Sequence, residues 1–473
     1  MAPLHVAVVV LGDVGRSPRM QYHAKSLAEL TVGGEPCRVS LIGYHGEPCV
    51  PDVQEHPRIQ QYLFSPFSTS LPRAAFLMYA PVKVLVLLWR LLSILVFQIA
   101  RPDVFLVQNP PSIPTLLVIW IVARLSGAKF VIDWHNFGFT VLGQSKGERH
   151  IFVRISRAYE KFFAQRADAH FSVTNAMREW MKKEWGVEPS VLYDKAPEFF
   201  RQTSVSERHD LFRRLAPQLE AACSKLCPNP GSSAPGTLFT DDKGQLREDR
   251  PALVVSSTSW TEDEDFGLLL AAIAEFDSSI ADDPAFPKVL FVVTGKGPLK
   301  LFYERKMERL SLRKTHVATM WLEPKDYPML LGSSDLGVCL HTSTSGLDLP
   351  MKVVDMFGCG LPVCAVGFDC LGELVRHGEN GMVFSFSREL ADQFRELLRN
   401  CTKSGGEGNT RLNKLRDGVK GFERWHPNWQ RNASPTFSAA ADFVGRRHPP
   451  PWVTCGVLAL LLFSALLRLL TSW

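Results

Sequence analysis

Leu4-His5-Val6-Ala7-Val8-Val9-Val10-Leu11 runs directly into Gly12-Asp13-Val14-Gly15-Arg16-Ser17-Pro18-Arg19-Met20, and the order of these two stretches decides the fold. The first is an unbroken apolar run of the length of a buried strand, too short for a secretion signal. The second is a glycine-containing loop that opens a helix, with Ser17 as a capping residue and Pro18 at the first helical position. Met20, Ala24, Leu27 and Leu30 then recur with the 3.6-residue period of one helix face. A buried strand that turns at once into a helix is the unit of an α/β sheet covered on both faces. The loop presents backbone N–H groups and the positive end of a helix dipole, which suits a phosphate. Gly12 and Gly15 shape it, and Arg16 and Arg19 add guanidinium forks that match phosphate oxygens. A tight strand–helix turn would account for the glycines but not for the two arginines or Asp13. The third glycine of the dinucleotide fingerprint is missing, which disfavours a nicotinamide dehydrogenase.

The same alternation continues outward. Candidate strands at 37–44, 104–108, 129–134, 169–174 and 190–194 follow with helical patterns between them. Residues 201–250 break the rhythm, and Cys227-Pro228-Asn229-Pro230-Gly231-Ser232-Ser233-Ala234-Pro235-Gly236 is loop chemistry. A second series then begins, with strands near 252–257, 288–294, 317–322, 336–341 and 362–366. The predicted architecture is α/β: two Rossmann-like doubly wound domains facing a cleft, over 1–200 and 251–410, joined by an insertion at 201–250. Residues 411–445 read as a crossover helix and linker, with Phe422-Glu423-Arg424-Trp425-His426-Pro427-Asn428-Trp429 returning to the first domain. No repeat of solenoid length is present.

The second domain carries the richer constellation. Leu336-Gly337-Val338-Cys339-Leu340 is a buried strand, and His341-Thr342-Ser343-Thr344-Ser345-Gly346 follows at its carboxyl end, where open α/β sheets bind ligands. Such a loop of hydroxyls and small side chains can wrap a diphosphate. A helix beginning near Pro350 and ending at Gly360 turns its positive end towards that loop. Lys352 lies in its first turn, a position that favours a bound anion nearby. Asp355, three residues on, shares its face and can accept from ribose hydroxyls. Gly295-Lys296-Gly297, after the strand Val289-Leu290-Phe291-Val292-Val293-Thr294, supplies a further phosphate contact.

Composition narrows the partners. A net charge of +5 favours an anionic lipid or diphosphate but is too weak, without arginine–aromatic interleaving, to argue for nucleic acid. The ten cysteines are scattered and read as buried reduced thiols, since only Cys223 and Cys227 are close and no second Cys or His pair stands at zinc spacing. Residues 452–470, WVTCGVLALLLFSALLRLL, hold one charge, Arg468, near their end; they read as a transmembrane tail anchor within 452–471, the alternative being an apolar helix packed on the protein, which the lack of a polar face disfavours. Arg446, Arg447 and His448 before it should stay cytosolic. Residues 82–97 and 115–125 are apolar on almost every side. They read either as a monotopic surface receiving a lipid-linked substrate or as buried helices of the α/β core.

In combination, Val10-Leu11-Gly12-Asp13-Val14-Gly15-Arg16-Ser17-Pro18-Arg19-Met20, Asp133-Trp134-His135-Asn136, Ser259-Trp260-Thr261-Glu262-Asp263-Glu264-Asp265-Phe266, Gly295-Lys296-Gly297 and Gly346-Leu347-Asp348-Leu349-Pro350-Met351-Lys352-Val353-Val354-Asp355-Met356-Phe357-Gly358 resemble the GT-B glycosyltransferases. Within them the likeness is to family 33, the chitobiosyldiphosphodolichol β-mannosyltransferases. The resemblance implies transfer of mannose from GDP-mannose to GlcNAc2-diphosphate-dolichol, with inversion, on the cytosolic face of the endoplasmic reticulum membrane, with other transferases of the pathway as partners. Family members carry an N-terminal anchor, whose place the C-terminal segment would take. In this reading Gly295, Lys296, His341, Ser343, Thr344, Ser345, Gly346, Lys352 and Asp355 hold the donor, and Gly12, Gly15, Arg16 and Arg19 meet the acceptor diphosphate.

Related retaining enzymes place a Glu eight positions before a second acid. Counting back from Asp355 reaches Leu347, with Asp348 one step off, which suits inversion. An inverting enzyme needs one base for the acceptor 4-hydroxyl. Asp13 is the first candidate and His135 the second; the plainer alternatives are a loop cap for Asp13 and a structural hydrogen bond for His135. Lys352, Lys296, Arg16 and the helix end can stabilise the leaving diphosphate without an obligatory metal. Asp263-Glu264-Asp265 imitates a D-x-D metal signature but opens a helix at Phe266, where acids favour the dipole. Capping is therefore preferred, and stimulation by Mg2+ or Mn2+ stays open. The alternatives are a retaining GDP-mannose-dependent transferase of lipid-linked oligosaccharide assembly and a non-catalytic membrane scaffold.

Overall fold

The structure, a computed structural model, describes residues 3–66, 76–223, 236–261, 264–403 and 408–444. The chain divides into two compact units: unit 1 is Met1–Tyr193 with His426–Trp473, and unit 2 is Asp194–Trp425.

Unit 1 is built on seven parallel strands: β1 (His5–Asp13), β2 (Arg38–Tyr44), β3 (Ile59–Phe64), β4 (Val104–Asn109), β5 (Lys129–Trp134), β6 (Ala169–Ser172) and β7 (Ser190–Val191). They lie in the order β3-β2-β1-β4-β5-β6-β7. Parallel strands buried on both faces need continuous apolar sequence, and Val6 to Val10 are all buried accordingly. The described helices that cover this sheet include α1 (Pro18–Glu29), α2 (Phe76–Ser93), α3 (Thr115–Ser126), α4 (Gly138–Lys146), α5 (Ile151–Ala164) and α6 (Asn175–Trp185). In α1 the predicted face of Met20, Ala24 and Leu27 is buried. The α6 helix begins where Thr174 Oγ1 accepts from the Met177 N–H at 2.9 Å, and it ends at Gly186 with φ 69°.

Unit 2 repeats the plan with β8 (Ala252–Ser257), β9 (Val289–Thr294), β10 (Thr315–Met320), β11 (Leu336–Cys339), β12 (Val363–Val366) and β13 (Gly381–Phe384), ordered β10-β9-β8-β11-β12-β13. Its helices include α7 (Val205–Cys223), α8 (Phe266–Ile280), α9 (Met351–Gly358) and α10 (Ser387–Leu398). Phe394 of α10 packs its ring 5.7 Å from Phe276 and 5.3 Å from Phe291, locking two helices onto one sheet face. At the foot of β11 the buried Asp335 takes a two-pronged bond from Arg250 at 2.7 and 2.8 Å. Its second oxygen also accepts the Leu253 N–H at 2.9 Å, which ties β8 to β11.

The chain then returns to unit 1 through α11 (Trp425–Asn432) and α12 (Ser434–Val444). Trp429 is fully buried, stacks on Phe437 at 5.9 Å and donates its indole N–H to His23 Nδ1 at 3.0 Å.

Some expectations differ from this outcome. The edge strands β3 and β13 were not legible. Ile59-Gln60-Gln61-Tyr62-Leu63-Phe64 faces solvent on one side, and Gly381-Met382-Val383-Phe384 is four residues long and opens on glycine. Within 201–250, Val205–Cys223 is a helix, and Phe239 stacks on Phe212 at 4.6 Å, so much of that segment is packed structure of unit 2. Residues 227–235 of the proposed loop lie outside the described residues, as does the apolar segment 452–470. Among the described residues, no helix is long and apolar enough to cross a membrane. The α3 helix buries Leu116, Val118, Ile119 and Val122 but leaves Leu117 and Ile121 exposed; α2 buries Leu87 and Leu91 and exposes Val82 and Leu85.

Candidate active site

Both sheets reverse their winding beside their first strand, next to β1 in unit 1 and β8 in unit 2. The carboxyl ends of strands at such a reversal form the binding crevice of doubly wound folds.

In unit 2 those ends converge on Glu264. This carboxylate is buried, accepts hydrogen bonds from the Thr258 hydroxyl and, at 2.6 Å, from the Ser259 N–H, and forms an ion pair with Lys352. Its backbone also bridges to His341. One acid thus joins the loop after β8, the loop after β11 and the first turn of α9. It sets the Lys352 ammonium, which is partly exposed, at that end of the sheet. The α9 helix has no side-chain cap hydrogen bond from its N-cap residue Pro350. The predicted capping role falls to the neighbouring Asp265, whose carboxylate accepts the Gly267 N–H at 2.9 Å at the start of α8. Asp263 of that acidic triplet lies outside the described residues.

The hydroxyl-rich loop is closed by a residue outside the predicted donor set. Asp348 accepts from the Ser343 hydroxyl and, at 3.2 Å, from Ser345, and lies 4.0 Å from His341 Nε2. Gly346 sits at φ 72° in the turn between them, and Thr344 lies in the same loop. The Gly295-Lys296-Gly297 segment presses against the loop after β8. A Cβ at Gly295, with φ 133°, would stand 1.8 Å from the Thr258 carbonyl oxygen. Only glycine allows that approach. Lys296 reaches over the Trp321 ring, 3.5 Å from its centroid, at the ends of β9 and β10. Asp355, one turn into α9, is packed so closely that burial pushes its carboxyl well above the usual carboxylate range, with the Asp194 charge adding to the effect.

In unit 1 the loop after β1 holds Gly12, Asp13, Gly15 and Arg16. Asp13 Oδ1 accepts the Gly15 N–H at 3.0 Å and Oδ2 the Glu47 N–H at 3.1 Å. Its carboxylate therefore binds the β1 loop to the loop after β2, as a cap. A Cβ at Gly15 would meet the Glu47 carbonyl oxygen at 2.1 Å, whereas one at Gly12 would meet only a methyl at 3.7 Å. Arg16 is largely exposed, with Glu47 3.3 Å away. Arg19 departs from its predicted role. It is buried; its Nε and Nη2 each donate to Asp133 at 2.8 Å, and Nη1 donates to the Leu192 carbonyl at 2.8 Å.

Asp133 is what the sequence reading passed over. It sits at the end of β5, two residues before His135, so both side chains leave the same side of the strand end. Its Oδ2 lies 2.8 Å from His135 Nε2 and 3.3 Å from His23 Nε2. Burial alone would raise its pKa; Arg19, then His135, overcome this and hold the carboxyl well below the usual range. An ionised carboxylate only accepts, so in this contact His135 Nε2 is the donor, and Nδ1 is the ring nitrogen directed away from Asp133. Trp429 fixes His23 in the same way, because an indole N–H only donates. Burial lowers the pKa of His23 and keeps it neutral. The His135 backbone N–H is held by the Asn109 carbonyl at 2.9 Å. Asn109 Nδ2 in turn donates to the Asn136 carbonyl at 3.2 Å and to the buried Glu160 of α5 at 3.1 Å.

Residues 18–192 match the glycosyl transferase 4-like domain family and residues 250–400 the glycosyl transferases group 1 family. The chain is 42% identical over 459 residues to the Mus musculus protein named chitobiosyldiphosphodolichol beta-mannosyltransferase, covering 94% of this chain and 91% of that protein. It is 43% identical over 467 residues to the Arabidopsis thaliana protein named UDP-glycosyltransferase TURAN, covering 92% of this chain and 98% of that protein. Among solved structures, Anabaena HepE in complex with UDP aligns with a TM-score of 0.57 at 16% identity over 94% of this chain and 100% of that one, a likeness of fold.

Proposed function

We infer the function from one premise: this chain belongs to the chitobiosyldiphosphodolichol β-mannosyltransferase family. It is a glycosyltransferase that adds a β-linked mannose to a diphosphodolichol-linked chitobiose, with GDP-mannose as the donor and inversion at the anomeric carbon. In this reading unit 2 binds the donor. Lys352, Lys296 and the positive end of α9 face its diphosphate, Asp355 meets the ribose, and the loop from His341 to Gly346 closes over it. As the acceptor 4-hydroxyl attacks, its proton passes to His135 Nδ1. The bond from the anomeric carbon to the GDP oxygen breaks, and its electron pair stays on the diphosphate, which the two lysines stabilise. No metal is required, though Mg2+ or Mn2+ can add to the stabilisation.

The observation that carries the base assignment is the 2.8 Å contact between His135 Nε2 and an Asp133 held ionised by Arg19. Asp13, the first candidate from sequence, has both oxygens engaged by backbone N–H groups, which favours its capping role. Arg16 is the exposed cation left for the acceptor diphosphate beside Gly12 and Gly15, while Arg19 positions the base through Asp133. The proposal keeps residues 452–470 as a tail anchor in the endoplasmic reticulum membrane, with both units cytosolic and other transferases of the pathway as neighbours.

The test is purified protein with GDP-mannose and a GlcNAc2-diphosphate-lipid, the product anomer being read by NMR. The expected product is β-linked, and His135→Ala loses about 10²–10⁴-fold in turnover while keeping its GDP affinity. Normal turnover of that variant removes His135 from the role; an α-linked product rejects inversion. Because one relative is named for a UDP-linked activity, UDP-sugars belong in the same assay, and turnover with them alone rejects the GDP-mannose donor.

A further inference from the structure

Large apolar side chains on the surface of unit 1 are concentrated on neighbouring helices. Leu117 and Ile121 of α3 and Ile151, Phe152, Ile155 and Phe162 of α5 each keep 37–55% of their surface exposed. The α5 helix has three longitudinal faces. Val153, Ser156, Glu160, Phe163 and Ala164 point into the unit; Arg154, Arg157 and Lys161 form an exposed basic strip; Ile151, Phe152, Ile155 and Phe162 form an exposed apolar strip. An ordinary surface helix has one apolar face, the one it buries. A second one, outward and beside a basic strip, is the pattern of a helix that meets another phase.

The strip continues across two elements. Trp120 of α3 meets Phe162 of α5 edge-on at 6.3 Å, and the Leu117 N–H donates to Tyr159 Oη at 3.1 Å. Charge decides what this face is for. The α2, α3 and α5 helices together carry Lys83, Arg90, Arg124, Arg154, Arg157 and Lys161 but a single acid, Glu160, which is buried and turned inward. A protein interface mixes both signs at its rim. Glu184 of α6 pairs with Arg157 at 2.8 Å, so the border is net basic rather than of one sign, and Arg154 and Lys161 keep its charge positive. An apolar strip with a net basic border complements an anionic bilayer, whose acyl region takes the isoleucines and phenylalanines while its headgroups take the basic side chains.

We propose that the outward faces of α3 and α5 form a docking surface that inserts shallowly into a bilayer containing anionic lipid. This deepens the functional reading above, on which it rests for its purpose: a lipid-linked acceptor has to be met at its own membrane. The physical claim concerns a surface and is testable without turnover.

The full chain is bound to vesicles of phosphatidylcholine with phosphatidylserine that carry a photoactivatable phospholipid, and the adducts are mapped by peptide. Peptide resolution separates this face from residues 452–470. Peptides containing Ile151 to Phe162 and Leu117 to Ile121 should label several-fold above the peptide containing Leu301 and Phe302, which are also exposed apolar residues but belong to unit 2. The pair Ile151→Asp and Ile155→Asp should reduce α5 labelling by about tenfold. The pair Arg154→Glu and Lys161→Glu should remove its dependence on phosphatidylserine. All four positions are exposed, so the unfolding transition and turnover on a short-chain soluble acceptor should be unchanged, which excludes misfolding as the cause. Labelling no higher than at Leu301, or unaffected by either pair, overturns the proposal. So does self-association of the wild type that Ile151→Asp abolishes while lipid labelling persists elsewhere, which would make this face a contact between copies. Loss of lipid labelling with normal turnover refutes only the docking face; normal labelling without mannosyl transfer refutes only the activity.

Discussion

Replacing Asp133 by Asn keeps the shape of the group beneath His135 and removes its charge. The Arg19 guanidinium, 4% exposed, would then be left in the interior opposite a neutral amide. Removing one partner of a buried ion pair costs about 3–5 kcal/mol, a large share of a total stability of about 5–15 kcal/mol. Hydrogen exchange resolved by peptide reads unit 1 separately from unit 2. Amides of β1 and β5 should exchange about 10²–10⁴-fold faster in the variant, while those of β8 and β9 stay unchanged. The pH dependence has a definite sign. The folded pKa of Asp133 lies below its unfolded value, so its contribution is complete above about pH 4 and is lost as the pH falls through the folded value. Wild-type stability should therefore fall more steeply with acid than that of Asp133→Asn. The double change Arg19→Met with Asp133→Leu should regain most of the stability, because an apolar pair of similar volume needs no desolvation. It should not regain turnover, since nothing would then orient His135. Unchanged exchange in the single variant, or a double variant no more stable than the single, refutes the network as described.

Lys352→Ala should weaken GDP binding by about 10–100-fold in titration calorimetry, the usual range for a lost hydrogen bond to a charged group; unaltered affinity would remove Lys352 from the diphosphate site. Gly295→Ala should destabilise unit 2 by at least about 2 kcal/mol in urea unfolding, since it combines a clash with the Thr258 carbonyl and an unfavourable φ; a change below 0.5 kcal/mol, roughly the surface-substitution range, would contradict that packing. Burial takes His170 down to about 4 from 6.5, and its Nδ1 accepts from the Trp134 indole at 3.2 Å. Stability should accordingly fall by up to about 3 kcal/mol as the pH drops from about 6.5 to about 4, and His170→Phe should flatten that slope.

The fold was readable where a strand is buried on both faces, because such strands must be apolar throughout: Val6–Val10 and Val289–Val293 announce themselves. Edge strands have one wet side and gave no such run, which is why Ile59–Phe64 escaped. The loop after β11 and the start of α9 were legible because they are local in sequence, a loop and the helix that follows it. Pairings across distance were not. Arg19 looked like a phosphate ligand because nothing near it in sequence hints at Asp133, 114 residues away. Glu264 looked like a cap or a metal ligand until Lys352, 88 residues on, was found against it. A weak local signal did exist for Asp133: an acid two positions before a histidine at a strand end places both groups on one side.

The course of the chain after His426 has a practical consequence for truncation experiments. Trp429 and Phe437 fill the interior of unit 1, and Trp429 supplies the donor that fixes His23 beside Asp133. A deletion intended to remove only the apolar tail will leave this plug in place if it stops after Val444. One that reaches back to Phe437 strips the ring that packs on Trp429 and Phe171, and any loss of activity would be mistaken for a need for membrane attachment.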